Sequence, residues 1–158
     1  MRRVATLAGL VMALFCISPA AADTNVPVKI TITEPAAAPV ETVGCPVAPE
    51  GFCGTGIVLP FGRATEMIDF GAGCAGSCDL RTITLAQGSI VLEETFSDGT
   101  CPGSCHPSPA EPASGVLTDV IVGGSGIFAR ATGVLNGTVN AAGKQSHVQF
   151  AGTITLGD

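Results

Sequence analysis

The sequence predicts an all-β fold, a sandwich or a barrel of about seven or eight short strands. Three observations predict it: short runs alternate apolar and polar residues, glycine-rich turns separate the runs, and no stretch after residue 22 has a convincing helical period. A hydrophobic content of 46% with only 13% charged residues is typical of a folded domain. We favour a barrel, because closure removes the exposed strand edges that promote aggregation.

The first 22 residues have the layout of a secretory signal peptide. Arg2 and Arg3 form a basic start, residues 4–17 are apolar, and small residues at 20–22 suit cleavage after Ala22. The apolar run is shorter than the roughly 20 residues of a membrane span, so a membrane anchor is the weaker alternative. A lipid anchor on Cys16 is weaker still. We therefore expect a secreted, periplasmic or extracellular protein.

Export makes the chain more acidic. Removing residues 1–22 leaves 136 of the 158 residues and changes the formal net charge from −6 to −8, because two arginines leave and no acid does. An acidic domain repels phosphate backbones and offers no basic stripe to an anionic membrane. We therefore expect neither nucleic acid as a partner nor a membrane span after signal cleavage.

The first strand is expected in residues 26–34, which alternate strictly. Pro27 indicates a strand start or an edge, because proline donates no hydrogen bond to a neighbouring strand. Residues 35–43 are rich in proline and alanine and indicate a linker. The domain prediction is an N-terminal strand and linker over 23–53, loosely attached, and a barrel domain over 54–158. The apolar residues on one side of the first strand are Val26, Val28, Ile30 and Ile32.

The later strands follow in a regular order. They are expected at residues 54–70 with a break at Pro60 and Gly62, and at 82–85, 89–96, 116–122, 132–140 and 147–156, with a loop at 98–114. Gln87-Gly88 predicts a hairpin turn. Asn136-Gly137 indicates a bulge or a turn. In the last strand one side carries Val148, Phe150, Gly152, Ile154 and Leu156.

The segment 122–133 resembles the Gly-Gly-Thr-Gly-x-Phe-x-x-Ala-x-Gly signature of the allene oxide cyclase-like and dirigent-like barrels. The matching residues are Gly123, Gly124, Gly126, Phe128, Ala131 and Gly133, with Ser125 in place of the usual threonine. The resemblance implies an eight-stranded antiparallel barrel with a lipocalin-like interior, self-association as a trimer, and cyclase or isomerase relatives. It assigns no catalytic residue here. We interpret the motif residues as structural, because glycines permit a tight reversal of the chain and the apolar side chain of Phe128 returns to the core.

Six cysteines remain after cleavage, which in an exported chain predicts a set of disulfides. Folding the chain at Gln87-Gly88 places Cys74 opposite Cys101, so the two Cys-x-x-x-Cys loops are expected to be neighbours. Disulfides within each loop and between the loops both stay open, and a thiolate zinc site is the weaker alternative. Cys45 and Cys53 are expected to pair together. The six are Cys45, Cys53, Cys74, Cys78, Cys101 and Cys105.

Three charged residues share the alternation of apolar neighbours and are the candidate ligand-binding residues: Glu66, Glu94 and Arg81. If those apolar sets face inwards, both acids point into the barrel, and Arg81 at a rim pairs with one of them. Burial would raise the pKa of a carboxyl group, which suits a general acid or base or a polar handle for a ligand. The alternative is that both acids lie near strand ends, where the alternation breaks and solvent begins.

Three functions are compatible with the sequence. The first is a binding protein for a small apolar ligand or a partner, since an eight-stranded barrel has room for packing or one small ligand. The second is a cofactor-free isomerase or cyclase, and the third is a surface-acting protein with a filled core. We expect no cofactor and no metal. Gly124-Ser-Gly126 lacks the helix that a dinucleotide site needs, and Cys105-His106 does not fit a haem attachment motif.

Overall fold

A computed structural model describes residues 23–35, 51–99, 113–142 and 145–157. Eight antiparallel strands form a closed barrel in chain order, and the last strand pairs with the first. The strands are β1 (Thr24–Pro35), β2 (Gly51–Leu59), β3 (Gly62–Gly73), β4 (Cys78–Leu85), β5 (Gly88–Gly99), β6 (Ala113–Gly124), β7 (Thr132–Ala142) and β8 (Gln145–Leu156). Short 3-10 turns cover Cys74–Gly76 and Gly126–Phe128. No helix in the described part of the chain has the length and hydropathy to cross a membrane.

The strand β1 is an integral part of the barrel, which corrects the expectation of a loosely attached N-terminal strand. It pairs with β8 from Thr24 to Pro35 and with β2 from Lys29 to Thr33. A boundary at residue 54 would therefore cut through β2 and separate β1 from both of its partners. Pro27 lies where only β8 is paired with β1, as expected of a residue without a backbone N–H.

The predicted break at residues 60–62 is a complete reversal, so the expected long strand is the β2–β3 hairpin. The β4–β5 hairpin is also present, but Leu85 pairs with Gly88, which places the turn at Ala86-Gln87 rather than at Gln87-Gly88. Gly88 is the first residue of β5 for a tertiary reason: a Cβ there would collide with the backbone carbonyl of Ser125. The register of this hairpin thus depends on contact with the β6–β7 connection.

No bulge interrupts β7 at Asn136-Gly137, where the sequence indicated a bulge or a turn. Gly137 pairs with Phe150 of β8, and a Cβ at residue 137 would overlap the Phe150 ring. The glycine therefore makes room for an inward-facing aromatic side chain. The alternation predicted for β8 is confirmed, since Val148, Phe150 and Ile154 are buried.

One end of the barrel, which we name the Phe128 end, is closed by the motif segment. Ile127 N donates to the carbonyl oxygen of Gln87, and Gly126 has φ +58°, a left-handed conformation that favours glycine. Phe128 is fully buried and meets the Phe61 ring edge-to-face at 5.0 Å between centroids. The structural reading of Gly126 and Phe128 is therefore confirmed.

Apolar side chains from the strands and from the motif segment form one core inside the barrel. Its members are Val28, Ile30, Ile32, Val58, Ala64, Ile83, Leu85, Ile90, Leu92, Leu117, Ile121, Phe128, Ala131, Leu135, Val139, Val148, Phe150 and Ile154. The opposite end, which we name the Cys74 end, carries the β3–β4 connection, the last residue of β1 and the first residue of β8. Core residues such as Val139 and Val148 extend towards the Cys74 end as well.

A disulfide joins Cys74 to Cys78 within the β3–β4 connection, so the first Cys-x-x-x-Cys loop closes on itself. Its two sulfur atoms are bonded to each other and are not free thiolates for zinc. Cys53 is disulfide-bonded as well. The predictions for Cys45, Cys101 and Cys105 concern positions outside the described residues.

Candidate functional site

Arg81 is a buried cation in the middle of the barrel. The strand β4 directs it inwards together with Ile83 and Leu85, as the alternation predicts, and only 2% of its surface is exposed. The expectation that Arg81 lies at a rim is wrong. The strand begins three residues earlier, at Cys78, so Arg81 is too far from the strand end to reach solvent.

Arg81 contacts carboxylates on three strands. Its Nε and Nη2 donate to the two oxygens of Glu94 at 2.8 and 3.1 Å, a bidentate pair, and Nη1 donates to Oε1 of Glu34 at 2.9 Å. Nη1 also donates to Oε1 of Glu66. The expected pair with one acid is thus a cluster with three.

The strand register brings these groups together. Arg81 pairs with Ile68 on β3 and with Leu92 on β5. Glu66 and Glu94 are each two residues from those partners, so both lie diagonal to Arg81 on the same side of the sheet. Both acids are buried within their strands, which excludes the alternative that they lie at solvent-exposed strand ends.

Glu34 belongs to the cluster, although the sequence reasoning did not select it. It continues the inward alternation of Ile30 and Ile32, and that pattern could have found it. Gly54 lies opposite Glu66 on β2, and a Cβ there would be 2.5 Å from Glu66 Oε2 and 2.7 Å from Ile32 Cγ2. Glycine at position 54 therefore leaves the space that the Glu66 carboxyl group occupies.

Asp119 is the fourth acid and was also missed. It lies on β6 directly opposite Glu94, has no exposed surface, and neither carboxyl oxygen accepts a hydrogen bond from the described residues. The signal was present within the strand predicted at residues 116–122. Val116 and Val120 point outwards, so Asp119 shares the inward side with Leu117.

The cluster holds four carboxyl groups against one guanidinium. Desolvation raises the pKa of Glu66 well above its ordinary value, and the attraction of Arg81 only partly opposes this. Desolvation together with the nearby Glu94 charge raises the pKa of Asp119 from 3.8 to about 9. Desolvation acts to lower the pKa of Arg81, but the surrounding carboxylates outweigh it and raise that pKa further. At neutral pH Asp119 therefore carries a proton, which reduces the formal negative charge of the cluster by one.

Protonation supplies one hydrogen bond within each pair of neighbouring acids. Two ionised carboxylates facing each other have only acceptors, whereas a protonated Asp119 donates to Glu94 and a protonated Glu66 donates to Glu34. Glu94 and Glu34, the two neighbouring acids, each also accept a hydrogen bond from Arg81. A neutral acid beside a carboxylate is the arrangement that general acid–base chemistry uses.

Two further groups border the cluster. The Phe150 ring lies 5.2 Å from Cζ of Arg81, a cation–π contact that covers one face of the guanidinium. Ser146, opposite Glu34 on β8, is fully buried, and its hydroxyl has no hydrogen-bond partner in the described parts of the barrel. The cluster is therefore enclosed by an aromatic ring on one side and by unsatisfied polar atoms on another.

In the described part of the chain, the remaining titratable groups form no second site. His147 points outwards, and its Nδ1 shares a hydrogen bond with Thr33 Oγ1 at 3.3 Å. Cys74, Cys78 and Glu93 lie close together, but the two sulfurs are joined in the disulfide, and Glu93 accepts a hydrogen bond from the Cys74 amide. His106 is outside the described residues.

Comparison of the chain with protein-family models, curated proteins and solved structures finds no match. The functional argument therefore depends on the chemistry of the barrel interior.

Proposed function

We propose that the protein is an exported binding protein that holds a small, largely apolar ligand inside the barrel with its polar group at the Arg81 cluster. The layout of residues 1–22 supports export with cleavage after Ala22. The resemblance of segment 122–133 to the allene oxide cyclase-like barrels supports a barrel with a lipocalin-like interior.

One observation carries the proposal: buried carboxyl oxygens lack donors. No described residue donates to Glu66 Oε2 or to either oxygen of Asp119, and a proton shared between Asp119 and Glu94 uses only one of the two Asp119 oxygens. Buried polar atoms are normally paired, and unpaired ones call for a ligand, a water molecule or a proton. A ligand group with hydrogen-bond donors would satisfy these oxygens.

The neighbours of the cluster favour an apolar ligand body. Asp119 pairs with Leu135 on β7, and Leu117 and Ile121 are its inward neighbours on β6. Burying apolar surface against such side chains supplies about 25 cal/mol per Å² of binding free energy. A polar group at the carboxyls and an apolar body beside them match this lining.

Native mass spectrometry of the unreduced protein, purified from its own host, tests the proposal. We expect the mass of residues 23–158, reduced by about six hydrogens for three disulfides, plus an extra mass that leaves on denaturation. The double variant Glu66→Gln, Asp119→Asn should lose most of the extra mass, whereas the exposed control Asp23→Asn should keep it. A mass without ligand in the wild type contradicts the proposal and favours the protein with a filled core.

The second candidate function is a cofactor-free isomerase or cyclase. The observation that favours it is a protonated Asp119 directly opposite Glu94, which supplies a general acid beside a base. Incubation with a host metabolite extract should change the retention time of a compound without changing its mass, and Glu94→Gln should abolish that change. Absence of any such conversion by the wild type rejects the enzyme.

Self-association is also proposed, from the resemblance to trimeric relatives. Val116, Val120 and Val122 of β6 and Val134 of β7 are exposed on the outer face, and Val120 pairs with Val134. Size-exclusion chromatography with light scattering should give three times the monomer mass. A monomer mass removes this proposal.

A further inference from the structure

We propose that the Asp119–Glu94 pair is the head-group site of the ligand, and that it binds an ammonium group in exchange for one proton. This inference rests on the proposed binding function and names the class of ligand. In the free protein one proton lies between the two carboxyl groups. When an ammonium group enters, the proton of Asp119 leaves to solvent, so the total charge of the site is unchanged and no covalent bond forms or breaks.

The geometry of the pair suits an ammonium group. Asp119 lies opposite Glu94 across two neighbouring strands, and both of its oxygens lack a donor among the described residues. Glu94 accepts one bond from Arg81 on each oxygen and keeps further lone pairs. An ammonium group has three donors and no acceptor, which matches a pair that offers only acceptors once the proton has left.

The charges around Asp119 select a cation over an anion. Arg81 on β4 and Glu94 on β5 face Asp119, Glu66 on β3 and Glu34 on β1 complete the cluster, and Leu135 on β7 is apolar. Four acids and one base leave an excess of negative charge. Each nitrogen of the Arg81 guanidinium already donates to one of the acids. An anionic head group would therefore meet carboxyl groups and would find no Arg81 nitrogen that donates to it alone.

A comparison of three probes with the same tail tests the head group. Hexylammonium, hexanol and hexanoate are titrated at pH 7 into the mature, disulfide-bonded chain, with the methyl signals of Leu117 and Leu135 followed by NMR. We expect saturable shifts with hexylammonium, a Kd at least about tenfold lower than that of hexanol, and no saturation with hexanoate. A weakly buffered solution with a pH indicator should show release of about one proton per bound hexylammonium.

Two variants assign the effect to the pair. Asp119→Asn should abolish proton release and reduce the preference for hexylammonium over hexanol to less than about twofold, and Glu94→Gln should weaken hexylammonium binding. The exposed control Asp23→Asn should keep both the preference and the proton release. An amide NMR spectrum with wild-type dispersion shows that each variant is folded.

The outcomes separate this inference from the proposed function. Equal or tighter binding of hexanol or hexanoate overturns the ammonium site, as does proton release that persists in Asp119→Asn. If native mass spectrometry still finds a bound molecule, the binding function survives and its accurate mass shows whether it contains an amine nitrogen. If no molecule is bound from the host and no probe binds, both proposals fail.

Discussion

Arg81 is surrounded by more negative charge than one guanidinium neutralises. Glu34, Glu66 and Glu94 contact it directly, and Asp119 lies opposite Glu94. Placing an unpaired charge in the interior costs several kcal/mol, so Asp119 stays protonated at neutral pH. Arg81 and the bound proton together make this interior compatible with folding.

The bound proton predicts that stability falls as pH rises. The pKa of Asp119 is about 9 in the folded protein and about 3.9 in an unfolded chain. Between these values the folded state holds a proton that the unfolded state has released, so the free energy of unfolding decreases by up to about 1.4 kcal/mol per pH unit. Glu66, whose pKa is also raised, adds to the decrease with the same sign.

Urea unfolding at pH 5 and pH 8 measures this effect in the wild type and in Asp119→Asn. The amide of the variant stays neutral, so its stability should fall less between the two pH values. The control Asp23→Asn should follow the wild type. Equal losses of stability in wild type and Asp119→Asn would show that Asp119 does not hold the proton.

Gly54→Ala should destabilise the cluster. The new Cβ would lie 2.5 Å from Glu66 Oε2 and 2.7 Å from Ile32 Cγ2, and overpacking of this kind typically costs about 1–3 kcal/mol. Gly123→Ala is the matched control, because its nearest contact is Val91 Cβ at 4.0 Å. Thermal unfolding should show a lower Tm for Gly54→Ala alone. Equal Tm values would mean that the Glu66 carboxyl moves without cost.

At the residue scale, the alternation of apolar and polar residues predicts well which side chains point into the barrel. It predicts poorly how far from the end of a strand each side chain lies. Glu66, Glu94 and Arg81 point inwards as predicted. The position of Arg81 at a rim was wrong, because the bounds of β4 depend on its pairing with β3 and β5. Glu34 and Asp119 obey the same alternation but were missed. Glu34 is the last residue of its predicted strand, and Asp119 lies within a valine-rich strand.

Among the elements, the motif segment closes the Phe128 end of the barrel. Phe128 is fully buried against Phe61, whereas its neighbour Ile127 is 46% exposed. The segment therefore anchors β6 and β7 to the β4–β5 turn through backbone hydrogen bonds and to the β2–β3 turn through the contact of Phe128 with Phe61.

Phe128→Ala should cost about 3–5 kcal/mol of the free energy of unfolding, the usual cost of removing a buried aromatic side chain. Ile127→Ala removes a comparable apolar group from the surface and should change stability by less than about 0.5 kcal/mol. Urea unfolding of both variants provides the comparison. A similar small loss in both would show that the Phe128 end is closed by the backbone alone.

The hairpin between β4 and β5 shows why local reasoning places an element but not its register. Gln87-Gly88 was a reasonable turn by its residue types. The observed turn is one residue earlier, because Gly88 must pass close to the carbonyl of Ser125, a residue 37 positions away in the chain. A long-range contact therefore decides the pairing.

For the whole molecule, closure between β1 and β8 holds the barrel together. Twelve residue pairs join these two strands, which are the first and last in the described chain. Loss of β1 would expose two strand edges and open the apolar core.

A chain of residues 54–158 should therefore fail to form the barrel, whereas residues 23–158 should fold. The shorter chain lacks β1, part of β2 and the Glu34 carboxylate. Amide NMR spectra of the two chains, each purified under oxidising conditions, give the comparison. A well-dispersed spectrum from residues 54–158 would show that β1 is dispensable.

The sequence by itself determined the all-β class, the inward faces of β1 and β8, and the inward direction of Glu66, Arg81 and Glu94. Each of these depends on the two-residue period of a strand, which is local. Only the tertiary structure decided that β1 closes the barrel and that four acids on four strands surround one arginine. Those features depend on strand register and closure, which join residues far apart in the chain and which no local pattern encodes.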